Sequence, residues 1–83
     1  MSQKKQSKEE HFLLKLYEFA LAKGDSQNEI DRYVVGEAVG ERTRGTDHTV
    51  QILTKNGLLK KTDEKLIHLT DFGVRFVKEH LID

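Results

Sequence analysis

Phe12, Leu13, Leu16, Phe19 and Ala20 recur three and four positions apart, the spacing that gives a helix a broad apolar face. Ser7 stands ahead of this run as a cap, and Glu9 and Glu10 fall in the positive first turn, so a helix is predicted from Ser7 or Lys8. Gly24 closes it. Ile30, Val34 and Ala38 then recur at intervals of four, with Val35 and Val39 beside them. Ser26 and Glu29 have the spacing of a capping box for this second helix, although Glu29 to Asp31 also fits a short strand. Gly40 ends the second helix.

A four-residue turn, Glu41 to Arg44, leads into a third helix whose inward positions are Thr46, Val50 and Leu53 and whose end is Asn56-Gly57. Leu58 to Lys61 and Leu66 to Leu69 are short apolar-bearing runs around the polar Thr62 to Lys65, the pattern of a β-hairpin with Ile67 and Leu69 on one face. Thr70 caps a last helix carrying Phe72, Phe76, Val77 and Leu81. The prediction is a mainly α domain with a small β-hairpin (α+β), in the order helix, helix, helix, hairpin, helix. It occupies residues 8–83, and residues 1–7 form a flexible polar tail.

Composition changes this picture at two points. Charged residues make up 34% of the chain and hydrophobic ones 36%; that balance is common in disordered segments, but the periodicity of the apolar residues argues for folding. The chain has no cysteine, which excludes disulfides and thiolate metal sites. No apolar stretch approaches a membrane span and the start is polar, so the expected location is the cytoplasm. Fourteen basic and fourteen acidic residues give zero net charge, unevenly placed. From Arg42 to Lys61 five bases face one acid, and from Glu18 to Gly40 five acids face two bases.

Gly40 in a turn, then Thr46, Val50, Leu53 and Gly57, followed by LTKNGLL at 53–59 and LIHLTDFG at 66–73, resemble the winged helix-turn-helix family of small prokaryotic transcription regulators. The resemblance covers the chain beyond the tail. Gly36 stands where that family usually has alanine, and Thr46 where it usually has an aliphatic residue; both are small enough for close helix approach. The resemblance implies double-stranded DNA as partner, the helix near 44–56 in the major groove and the wing near 58–69 on phosphates. With Val50 inward, the opposite side of that helix carries Arg44, His48, Gln51 and Lys55. Arg44 suits guanine, Gln51 adenine, and Lys55 a phosphate or a guanine edge. Thr43, as N-cap, leaves amides for a phosphate. Arg42, Lys60, Lys61 and Lys65 complete the candidate DNA contacts. Asp47 beside the stripe repels phosphate unless it pairs with Arg44 or accepts a hydrogen bond from a cytosine. One such helix reads few base pairs, which implies two half-sites and a homodimer, with the first and last helices as a seam.

Enzyme chemistry finds no foothold in the pattern. His11, His48, His68 and His80 lie on four elements, without metal-ligand spacing. Gly36 to Gly40 lacks the Gly-Lys-Ser/Thr ending of a phosphate loop and falls within a helix. Ser7 and Ser26 read as caps, Glu9 and Glu10 as helix-dipole residues, and the Phe side chains as core. Tyr17 and Tyr33 fit the core margin with their hydroxyls in water. No catalytic residue, metal or cofactor is expected. The competing expectation is a winged helix that binds a protein and not DNA, favoured by zero net charge, by Asp47 and by Ile52, which falls near the outward side.

Overall fold

In the computed structural model, residues 6–82 are described; residues 1–5 of the expected tail and Asp83 lie outside them. Ser7 opens α1 (Lys8–Ala22) through a full capping box: its hydroxyl accepts from the Glu10 amide, and the Glu10 carboxylate accepts from the Ser7 amide. Phe12, Leu13, Leu16 and Ala20 of α1 are wholly buried. Burying such a large apolar side chain stabilises the fold by about 1.5–3 kcal/mol relative to leaving it exposed. Phe19 packs at the edge of that core.

The next segment resolves the choice left open at Glu29 to Asp31. Ile30–Asp31 is a two-residue strand, β1, and the helix that follows, α2 (Arg32–Ala38), is capped by the Asp31 carboxylate accepting from the Tyr33 amide at 2.8 Å. The Ser26–Glu29 capping box is therefore not formed. Starting at Arg32, α2 turns Arg32, Val35 and Gly36 inward, which leaves Val34 half exposed and Ala38 exposed. The expected Ile30–Val34–Ala38 face is corrected accordingly.

Gly40, at φ +80°, makes the turn between α2 and α3 (Thr43–Lys55); a residue with a Cβ enters that backbone region only at a cost. Thr46, Thr49, Val50 and Leu53 of α3 are buried. The α2–α3 contact is close at one point: a Cβ on Gly36 would run into the Thr46 side chain. The small residues at 36 and 46 thus set the approach of the two helices.

Strands β2 (Leu59–Lys61) and β3 (Leu66–Leu69) form the expected hairpin, Leu59 facing Leu69 and Lys60 facing His68. β1 joins on the other edge of β3, Ile30 opposite Ile67, to make a three-stranded antiparallel sheet in the order β1-β3-β2. Ile67 and Leu69 point into the core, fully buried. Thr70 begins α4 (Asp71–Phe76), its hydroxyl accepting from the Gly73 amide and donating to the Gly57 carbonyl. The last turn, Val77–Leu81, is π-helical. Val77 is buried and Phe76 partly so, but Phe72 is 51% exposed and does not belong to the core as expected. It sits in the first turn of a short helix whose buried side is set by Gly73 and Val77, one position round. The result is an α+β fold with most of its regular structure helical. Among the described residues no helix is long and apolar enough to cross a membrane.

Candidate nucleic-acid interface

At 100° per residue, the side of α3 opposite Thr46, Thr49, Val50 and Leu53 carries Arg44, His48, Gln51 and Lys55. All four are exposed, in one line along the helix. Ile52 flanks the line on the side of α1 and α4, and Asp47 flanks it on the side of α2. Sequence periodicity alone located this line, because an amphipathic helix with one buried face has only one way to present the other.

The start of α3 differs from expectation by one residue. Arg42, with an extended backbone, is the N-cap, and its carbonyl accepts from the Thr46 amide at 2.8 Å. Thr43 is the first helical residue, and no side chain caps the helix. Arg42 and Thr43 are both exposed. Glu41 lies against Gly45 in the first turn, its side chain only 7% exposed and its carboxylate 3.2 Å from Lys8 Nζ. That charge complements the positive end of α3, so a phosphate at the same end would meet a carboxylate already in place.

Asp47 does not pair with Arg44. Its Oδ1 accepts from the Tyr33 hydroxyl at 2.7 Å and lies 3.5 Å from Arg32 Nη1. Tyr33 therefore donates its hydroxyl proton to a carboxylate. That hydrogen bond pushes the Tyr33 phenol above its ordinary range, with burial and the carboxylate's charge adding to it. Arg32 is 7% exposed, and its Nε is buried without a partner among the described residues. A buried guanidinium requires a counter-charge, and Asp47 is the carboxylate that α3 brings to it. The acid that stood against DNA binding in the sequence is thus the neutralising partner of a basic residue behind it. Arg32 and Tyr33 left no sequence signal for this role beyond a base and a hydroxyl lying one after the other in an acidic stretch.

The hairpin does not gather its lysines. Lys60 shares the outer face of the sheet with its partner His68, whereas Lys61 lies opposite Ile67 on the core-facing side, at the exposed end of the strand. Lys65 ends the turn. Asp63 and Glu64 are interleaved with them, so three lysines meet two acids between 60 and 65. The Asp63 carboxylate accepts from the Leu66 and Lys65 amides, both at 2.9 Å, and these bonds hold it below the usual aspartate range. His68 shares a hydrogen bond with Thr62 at 3.0 Å.

A second surface feature was missed by the sequence reading because it follows from the exposure of Phe72. With Ile52, Leu53, Leu58, Phe76 and Leu13, Phe72 lines an open apolar groove of about 430 Å³ between α1, α3 and α4, with Glu9 and Glu10 at its edge. Among the described residues no three His, Asp or Glu side chains come together as a metal site. No family model, curated protein or solved structure matches the chain.

Proposed function

We propose that the chain is a winged helix-turn-helix that binds duplex DNA as a transcription regulator, with α3 in the major groove and the β2–β3 hairpin as the wing. The order of elements supports the fold: α2, a glycine turn, α3, then a hairpin whose inner strand pairs with a short strand ahead of α2. One observation carries the function. The exposed line Arg44, His48, Gln51 and Lys55 lies directly opposite the buried face of α3, and the one acid of that helix is tied to Arg32 and Tyr33. Arg42 and Lys55 supply phosphate contacts, Arg44 and Gln51 base contacts, and the hairpin lysines a weaker backbone contact. This reading implies a cytoplasmic protein acting as a homodimer on two half-sites, with no catalytic step and no cofactor.

The test is an amide-shift titration of labelled protein with a mixed-sequence duplex at low and moderate salt. Shifts confined to Thr43–Lys55 and the hairpin, fading with salt, are expected. A spectrum unmoved at low salt refutes DNA binding. The second reading, a protein-binding module, is favoured by the groove around Phe72; a partner that shifts Phe72, Phe76 and Ile52 and leaves the Arg44–Lys55 line unmoved would establish it.

A further inference from the structure

The position of Asp47 has a consequence for which sequence is read, and it rests on the DNA-binding reading above. A carboxylate at the edge of a DNA-facing helix is repelled by phosphates, and a purely phosphate-binding surface gains nothing from it. Asp47 is nonetheless 48% exposed at its side chain, three residues after Arg44 and four before Gln51. Both contacts described for it fall on Oδ1. No hydrogen bond to Oδ2 is made by a described residue. The carboxylate is thus fixed through one oxygen, by groups on α2, while the other has no partner among the described residues, on a half-exposed side chain beside the base-reading line.

We propose that Asp47 is a specificity-determining residue, whose Oδ2 accepts a hydrogen bond from the exocyclic amine of a cytosine next to the base pair met by Arg44. The chemistry of the groove selects the base. Cytosine presents an N4 amine donor there; thymine puts the O4 acceptor in the same place, and guanine presents two acceptors, O6 and N7. Adenine offers an amine with the N7 acceptor beside it. An acceptor-only group therefore gains an unopposed bond at cytosine, a bond opposed by the adjacent N7 acceptor at adenine, and repulsion at thymine and guanine, which is discrimination by exclusion as much as by attraction. Tyr33 and Arg32 act as positioning residues. They hold Oδ1 so that little side-chain freedom is lost on binding, and the guanidinium offsets repulsion between the carboxylate and nearby phosphates.

The substitution Asp47→Asn separates this role from a merely structural one. The Asn Oδ1 still accepts from Tyr33 and Arg32, but Nδ2 now points outward as a donor. The preferred base at that position is then expected to change from cytosine to one that presents an acceptor, thymine O4 or guanine O6. Duplexes are selected from a randomised pool by the wild type, Asp47→Asn, Asp47→Ala and Tyr33→Phe, and each variant's fold is checked by its amide spectrum. The wild type should enrich cytosine at one position by up to roughly tenfold, the low end of what a bidentate base contact supplies, since only one oxygen takes part. Asp47→Ala should lose that preference at that position alone, and Tyr33→Phe should weaken it. Identical base preferences in folded wild type and Asp47→Ala would overturn the proposal while leaving DNA binding in place, as would a wild type that binds all duplexes equally. A wild type that binds no duplex overturns both.

Discussion

Gly36 has no side chain because Thr46 stands where one would be. In an exposed helix, exchanging glycine for alanine stabilises by about 1 kcal/mol through backbone propensity. Here the added methyl meets a threonine that is itself 1% exposed and stiff at χ1, and overpacking of this kind costs about 1–3 kcal/mol. Gly36→Ala is expected to be net destabilising, by up to roughly 2 kcal/mol after the propensity gain. In that background Thr46→Ala should recover most of the loss. Urea unfolding of the two single variants and the double variant measures it; a Gly36→Ala protein as stable as wild type would show that the helices can move apart freely. That the two positions were small was legible in the sequence, since Thr46 shares a helical face with Val50 and Leu53. The burial of Thr49 and of Arg32 was not, because an isolated polar residue announces its burial only through partners on other elements.

The elements that were read well are those whose signals are local. The Ser7 and Thr70 caps, the hairpin with Ile67 and Leu69 inward, and the outward line of α3 all follow from signals within a few residues; the return bond from the Ser7 amide to Glu10 is not among them, Glu10 reading in the sequence as a helix-dipole residue. The start of α2 failed for a non-local reason. Ile30 and Asp31 are drawn into the sheet by Ile67 and Leu66, far along the chain, so the helix begins later and its faces rotate, exposing Val34. The hairpin turn makes a test at this scale. Asp63 holds the turn by accepting from two amides while ionised, and its pKa is lowered in the fold. A carboxyl of this kind stabilises above its unfolded pKa, and the contribution is lost as pH falls through the lower folded value. The Lys65 and Leu66 amide shifts should therefore titrate with a midpoint below the ordinary aspartate value of 3.8, and Asp63→Asn should abolish the transition. A midpoint at or above that value would mean the turn does not depend on the charged form.

For the whole molecule, the proposed DNA binding would gain little long-range attraction from a zero net charge and would rest on local contacts. An α3 of 13 residues is about 20 Å long; in the proposed DNA complex it would fill one stretch of major groove, and a single chain would make few phosphate contacts. Each neutralised phosphate contributes roughly −0.9 to the slope of log affinity against log salt. Arg42, Arg44 and Lys55 lie along α3 and its N-cap, where the nearby acids Glu41 and Asp47 are paired with Lys8 and Arg32, whereas Lys60, Lys61 and Lys65 are interleaved with Asp63 and Glu64 and spread over both faces of the hairpin. In the proposed complex the basic side chains of α3 and its N-cap are therefore expected to carry more of the salt dependence than those of the hairpin. Lys55→Ala is expected to flatten the slope by about one phosphate's worth, roughly 0.9, and Lys60→Ala by clearly less. Fluorescence anisotropy with a labelled duplex across a salt series measures both. Equal flattening by the two variants would mean that the hairpin grips the backbone as firmly as α3 does, with Asp63 and Glu64 turned away from it. In that case the charge of the whole turn, and not the exposed line of α3 alone, would set the affinity.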